Sequence, residues 1–331
     1  MEELDFDIVN LSYPHPKKLR CQVIRTLSQG EAAAHRSVSF LCDCLGITRQ
    51  GYYTHSRQES DLDVLRTSIV LYCQHIRADL MPRAGMRELY VMCRKHFGDR
   101  MTIGRDQCYD LFRANGLVLR KKKRPRTTDS RHNFHIYPDL LNVTPKLTAR
   151  HFGELAVADI TYVETDRGWA YLSLLMDAAT RMIVGYKLHP TLETAGPLAA
   201  LGQALDFYKS RGIATDGLIH HSDRGIQYCS NAYVNVLLGE KARISMTQTG
   251  DPLHNAMAER LDNTIKNGWL FDCEGRSFDE VEELIDKAVK VYNCDRPHQA
   301  LGMRTPRQAM DEALLSCGAV SSPYGLLNST A

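Results

Sequence analysis

From Ser37 onward, apolar residues recur at helical spacing. Val38, Leu41, Cys42 and Leu45 share a face, and Gly46 ends the run. A second short helix is expected over 47–53, starting with Thr48-Arg49-Gln50, so that helix, glycine turn and helix take a helix-turn-helix form. Three more helices follow. One runs from about Asp61 to Asp79, with Leu62, Leu65, Ile69, Tyr72 and Ile76 on one face. Another covers Gly85 to Phe97. The third starts at the capping Thr102 and stops at Asn115-Gly116.

The second half changes period. Residues 155–163, 170–176 and 182–188 are near-continuous apolar runs and read as buried strands, the last two joined through a turn at 177–181. A helix over about 192–210 carries Leu198, Leu201, Leu205 and Tyr208. A strand at 217–221, a helix at 230–239 and a strand at 243–246 follow. The capping box Ser277-Phe-Asp-Glu280 opens the last long helix, which runs to Tyr292. Three meander strands, then helices alternating with strands, make an α/β layered domain behind an all-helical front.

Charge divides the chain at the same place. Residues 1–150 hold 25 Lys/Arg against 16 Asp/Glu; residues 151–331 hold 16 against 23, within a net charge of +2. A basic front suits a polyanion and an acidic back suits cations. Six cations in seven residues, Arg120, Lys121, Lys122, Lys123, Arg124 and Arg126, cannot form a core, and they read as a linker that contacts phosphates. The 44 % apolar and 24 % charged composition excludes a disordered tail or a disulfide scaffold. There is no apolar run long enough for a membrane span and no signal-peptide pattern. The ten scattered cysteines therefore read as reduced thiols, and a cytoplasmic protein is expected. His132 and His135 lack a Cys-x-x-Cys, and Cys42 and Cys44 lack a nearby His pair, so no zinc site is expected.

Three acids stand where a core does not favour them. Asp159 lies inside the first apolar strand, Asp223 ends the fourth, and Glu259 lies on a helix spanning 255–266. A charge in a buried strand costs several kcal/mol unless it is paired or binds a cation. Pairing of the first and fourth strands sets Asp159 beside Asp223, and two carboxylates at that distance require a cation. Hard oxygen donors suit Mg²⁺ or Mn²⁺. On the helix, Leu253, Met257, Leu261 and Ile265 form the expected packed face. Asn255, Glu259, Asn263 and Lys266 look toward the metals and a phosphate, whereas Asp262 lies on a less well-placed face. Asp166 and Asp177 read as turn residues.

There are 63 residues between Asp159 and Asp223 and 35 between Asp223 and Glu259. With Asp-Ile-Thr-Tyr at 159–162, Thr-Arg-Met-Ile-Val-Gly-Tyr at 180–186, His-Ser-Asp-Arg-Gly-Ile-Gln-Tyr at 221–228, Asn-Ala-Met-Ala-Glu at 255–259 and a Tyr-Asn-Cys-Asp-Arg-Pro-His stretch from 292, the chain resembles the DDE transposase and retroviral-integrase superfamily. Within it, the chain looks like the second-frame (OrfB-type) transposase of insertion-sequence family three, over about residues 37–310.

The resemblance implies a ribonuclease-H-like core, a five-stranded mixed sheet with flanking helices, and a division into 1–58 (helix-turn-helix-like), 59–118 (helical DNA-binding), 119–150 (basic linker), 151–293 (catalytic core) and 294–331 (C-terminal extension). It implies that Asp159, Asp223 and Glu259 bind two Mg²⁺ or Mn²⁺ ions. Lys266 and Arg49, with the basic run, would contact DNA, and His221, Arg224, Gln227 and Asn255 would support the site. The implied substrates are transposon terminal inverted repeats and target DNA. The implied assembly is a DNA-dependent homo-oligomer of at least two protomers, with a first-frame (OrfA-type) partner where the element encodes one. The implied reaction is metal-assisted cleavage of transposon ends, then attack of the 3′-OH on a phosphodiester. Leu155-Ala156, His254 and Arg260 depart from the family pattern and bear on DNA contacts rather than on the acids. Two other readings are a transposase-derived regulator that no longer cleaves and a metal nuclease acting on RNA–DNA hybrids. The intact acids argue against the first and the basic front half against the second.

Overall fold

The protein is described here by a computed structural model covering residues 17–28, 37–119, 135–141, 147–247 and 255–316. It divides into two compact units, one formed by residues up to Cys73 with Asp99–Leu111, the other by Gln74–Gly98 with Phe112 onward.

In the first unit, α1 (Lys17–Ser28), α2 (Val38–Cys44) and α3 (Arg49–His75) pack Cys21, Ile24, Leu41, Cys42, Leu45 and Tyr52 into one core. Ser37 caps α2 by accepting the Phe40 N–H. The expected short second helix is instead the opening of a 27-residue helix that also absorbs most of the helix expected from Asp61. After Gly51 this stretch contains no glycine or proline, so nothing stops propagation. The expected boundary between 1–58 and 59–118 therefore falls inside one element. Of the remaining helical elements, a π turn (Ile76–Leu80) and α4 (Met86–Phe97) fall in the second unit, and α5 (Arg105–Ala114) starts in the first.

The second unit is built on a five-stranded sheet ordered β3-β2-β1-β4-β5, with β1 Leu155–Thr165, β2 Gly168–Asp177, β3 Ile183–His189, β4 Ile219–Ser222 and β5 Arg243–Met246. β1–β2 and β2–β3 are antiparallel, whereas β1–β4 and β4–β5 are parallel. This is the mixed sheet expected of a ribonuclease-H-like core. Helix α6 (Ala195–Ser210), the single turn α7 (Ile226–Cys229) and α8 (Asn231–Gly239) lie between the strands in sequence. On one face Ala156, Ala158, Leu175 and Val184 pack against Ala200, Leu201, Leu205 and Tyr233 of α6 and α8. Gly185 makes this possible, because a Cβ there would meet the Ala200 carbonyl oxygen at 2.1 Å. Helix α9 (Ala256–Gly268) packs on β1 and β2, and α10 (Phe278–Cys294), opened by the expected Ser277–Glu280 box, packs on β3. Residues 306–316, expected in a C-terminal extension, form α11 (Pro306–Ser316), and its Met310 and Leu314 are buried in the same core as the sheet. Each such fully buried apolar side chain contributes about 1.5–3 kcal/mol.

Candidate active site

Alternation along β1 decides which side chains face α9. Ala156 and Ala158 belong to the α6 side, so Asp159 and Thr161 face the other way. The parallel pairing of Val157 with His221 has an offset of 64 residues. Continued by two residues, it brings Asp159 level with Asp223 just past the end of β4. The Ile160 N–H donates to Asp159 Oδ1 at 2.9 Å, and the Gly225 N–H donates to Asp223 Oδ1 at 2.8 Å. A Cβ at Gly225 would crowd that same oxygen at 3.0 Å, so glycine preserves the tight turn that presents Asp223. Asn255 Nδ2 donates to the Ala158 carbonyl at 3.1 Å and ties the start of α9 to β1. Glu259 follows in the first turn of that helix.

Asp159, Asp223, Glu259 and Asp262 form one electrostatic cluster. Asp159 is raised well above the usual carboxylate range, first by desolvation, then by the charges of Asp262 and Asp223, with Glu259 adding less. Asp262 is buried and is pushed up to about 8 by desolvation. Lys266 and hydrogen bonds with Asp159 and Thr161 oppose that rise, and Glu259 adds to it. Among the described residues Asp262 Oδ1 has no hydrogen-bond partner. The face assigned to Asp262 from sequence is thus corrected: three residues beyond Glu259 it points into the cluster, closer in its effect on Asp159 than Glu259 itself. The i, i+3 spacing of the two acids was the available signal. Tyr228 is also buried beside Asp159 and Asp223, and its hydroxyl has no partner among the described residues.

The other expected residues are distributed as follows. His221 is fully buried, with Nδ1 at 2.8 Å from Ser245 Oγ, so it helps join β4 to β5. Gln227 Nε2 donates to the Leu192 carbonyl at 2.7 Å and fixes the loop before α6. Arg224 is half-buried beside Asp223, and Lys266 is half-buried near Asp262. Asn263, expected to face the acids, is exposed and lines a cavity on a different side of α9. Arg49 is exposed at the start of α3 in the first unit. Arg120, Lys121, Lys122, Lys123, Arg124 and Arg126 lie outside the described residues, as does Leu253. Asp177, read as a turn residue, is completely buried and holds its turn by accepting from the Gly153 N–H, the Thr180 N–H and the Thr180 and Tyr208 hydroxyls.

Two models of the Integrase core domain match the chain, over residues 149–252 and 240–306, and together they span all four acids. The insertion element IS600 uncharacterized 31 kDa protein of Shigella sonnei is 32 % identical over 271 residues, covering 80 % of this chain and 96 % of that protein. The chain belongs to the DDE transposase and integrase superfamily. The transposase for insertion sequence element IS629, also of Shigella sonnei, is 34 % identical over 61 % of this chain and 65 % of its own length. A solved simian T-cell lymphotropic virus intasome, in complex with PP2A regulatory subunit B56 gamma, matches 76 % of this chain and 76 % of its own at 12 % identity and a TM-score of 0.41. The assignment rests on the sequence matches.

The residues of this integrase core fit a hard divalent cation. The donors are carboxylates from β1, the end of β4 and α9, mutually repelling and partly desolvated, and one buried oxygen of Asp262 lacks a partner. A cation relieves that repulsion, and water or phosphate oxygens complete its coordination. Among the described residues no three His, Cys, Asp or Glu side chains already form a closed metal-holding group, so the acids are gathered but not drawn together. No helix of the described residues is long and apolar enough to cross a membrane.

Proposed function

We propose that this chain is a transposase that cuts the ends of its element and joins them to target DNA, using Asp159, Asp223 and Glu259 as ligands for two Mg²⁺ or Mn²⁺ ions. The observation that carries the reading is the convergence of these acids on the α9 side of β1, where burial first and the neighbouring carboxylates second raise the proton affinity of Asp159. The ions, when bound, would activate the attacking oxygen and stabilise the leaving one. In the first step a water oxygen attacks phosphorus at the element's 3′ end. The P–O3′ bond breaks, releasing a 3′-OH and a 5′-phosphate. In the second, that 3′-OH attacks a target phosphodiester, loses its proton, and displaces a target 3′ oxygen. Neither step requires a covalent bond to the protein.

The chain's own groups set this geometry. The N–H groups of Ile160 and Gly225 hold one oxygen each of Asp159 and Asp223 and so fix how the two carboxylates are presented to a metal. Asn255 fixes the helix that presents Glu259. Lys266, near Asp262, supplies a cation for the DNA phosphate. The substrates are terminal repeats and target duplex, and joining two ends calls for at least two protomers assembled on DNA. A first-frame partner belongs to this reading where the element encodes one, and the basic run at 120–126 adds phosphate contacts.

The test is strand transfer with purified protein, labelled duplex carrying the element's end, and Mg²⁺ or Mn²⁺. Joined products that vanish with Glu259→Gln are expected. Joining that persists in the variant overturns the assignment of Glu259. End binding without joining, even with the first-frame partner added, favours the non-cleaving regulator.

A further inference from the structure

On a side of α9 adjoining the acids, the second unit holds two cavities of about 430 and 800 Å³ that share Glu88, Arg260, Thr264 and Arg296 and so form one groove. Asn263 and Asn267 line the smaller cavity, and Arg181 and His298 the larger. Arg296 is ion-paired with Glu88 at 2.5 Å and packs over Tyr292, so its charge is largely spent within the protein. Arg181 and Arg260 differ. Among the described residues neither has an ion-pair partner. They face the same cavity, and burial, with a smaller contribution from the charge of Arg260, lowers the proton affinity of Arg181. Arg181 is held there at a cost, since its φ of 61° is left-handed, a region a non-glycine residue seldom occupies, while its guanidinium donates to Met257 Sδ. His298, pushed down to about 3 by burial, Arg296 and Arg181, adds a neutral donor or acceptor. Two permanent cations turned toward one cavity need an anion, and a guanidinium cannot shed its charge as a carboxylate can.

We propose that this groove is a binding track for the phosphate backbone of the DNA strand that passes the acids, with Arg181 and Arg260 each contacting a phosphate and Asn263, Thr264 and Asn267 supplying neutral hydrogen bonds. The inference rests on the transposase reading for the identity of the polyanion. It assigns the contacts to a surface separate from the basic run at 120–126. Arg260 links the two sites directly, because it follows Glu259 in the chain and points away from the acids.

The test is fluorescence anisotropy of the full chain with a labelled duplex carrying the element's end and a flanking extension, titrated at salt concentrations from about 50 to 300 mM. Wild type is compared with Arg181→Gln/Arg260→Gln and with Arg243→Gln, which removes an exposed cation outside the groove. The double variant is expected to bind on the order of tenfold more weakly near 0.1 M salt, with the slope of log affinity against log salt reduced by about two. Its Mn²⁺ affinity, followed by paramagnetic resonance, stays unchanged, as does DNA binding by Arg243→Gln. A slope unchanged in the double variant, or reduced equally by Arg243→Gln, overturns the groove. Wild-type protein that binds no DNA overturns the transposase reading instead. If the double variant fails to fold, Arg260→Gln alone, at an exposed helical position, must lower the slope by about one; an unchanged slope there also overturns the proposal.

Discussion

Helix α9 carries like charges on two sides that have solved the same electrostatic problem differently. Toward β1, Glu259 and Asp262 meet Asp159 and Asp223, and the group is desolvated. Toward the groove, Arg260 meets Arg181 across a cavity of about 800 Å³. Carboxylates can take up protons, so the acids tolerate close packing without a cation, and two of them share a hydrogen bond. Guanidinium groups stay charged at any ordinary pH, so the arginines cannot close on one another and the groove stays open. The acid side waits for a cation with Asp159 and Asp262 held at raised proton affinity. The arginine side waits with its cavity open.

The sharpest way to break this comparison is to remove charge from the acid side alone. Asp223→Asn is expected to lower strand transfer by at least 10²–10³-fold, as roughly follows from removing an electrostatic stabiliser of a developing alkoxide. DNA affinity measured without divalent ions should stay within about twofold, since the groove and its phosphate contacts are untouched. A parallel loss of DNA affinity would show that the two sides are not separate.

Asp262→Asn sharpens the acid side itself. The amide keeps the shape and loses the charge, and it leaves Asp159 without one of its two strongest repulsive neighbours. Mn²⁺ affinity and strand transfer are expected to fall by about 10–100-fold, the range for groups that orient metal ligands. Unchanged Mn²⁺ affinity would return Asp262 to a purely structural role.

The waiting state also predicts a pH dependence. Asp159 and Asp262 have folded-state proton affinities above those of the unfolded chain. The folded state therefore binds more protons than the unfolded state between the ordinary carboxylate range and the raised values. The associated stability is full below the unfolded values and is lost as pH rises through the folded ones. Metal-free protein is expected to melt at progressively lower temperature from about pH 5 to 9. Asp262→Asn should flatten that fall, and Mn²⁺ should offset it in wild type. Equal slopes in wild type and variant, measured by calorimetry without metal, would remove Asp262 from the titrating group.

Much of this was legible in the sequence, for identifiable reasons. The strands from 155 to 189 are apolar runs bounded by turns, so the sheet could be read directly. Asp159 stood out because a charge inside such a run is costly. Asp262 was assigned to the wrong face because a periodic pattern fixes a helix's rotation only coarsely, and its neighbours Leu261 and Ile265 dominate the apolar stripe. The length of α3 was missed because a polar stretch without glycine or proline looks like a linker yet still propagates a helix. The groove was invisible because Arg181, Arg260 and Arg296 come from a turn, a helix and a loop far apart in sequence. No local pattern announces their meeting.

Keeping the two sides apart requires that α9 not rotate about its axis, and a hydrogen bond to a backbone carbonyl outside the helix helps pin each end. At the start, Asn255 Nδ2 donates to the Ala158 carbonyl at 3.1 Å; at the end, Trp269 Nε1–H donates to the Leu80 carbonyl at 2.8 Å, beside the groove. Asn255→Ala leaves a buried carbonyl unsatisfied and is expected to cost about 1–2 kcal/mol, a fall of a few degrees in Tm. Trp269→Phe removes the second bond while keeping most of the ring, at a similar cost. The two variants should separate by readout. Loosening the first end frees the turn that carries Glu259, so Mn²⁺ affinity falls while the salt slope of DNA binding holds. Loosening the second frees the groove wall, so DNA affinity falls a fewfold while Mn²⁺ affinity holds. If both variants moved both readouts together, the helix would be acting as one rigid lever, and the division between its faces would describe charge placement rather than two independently supported sites.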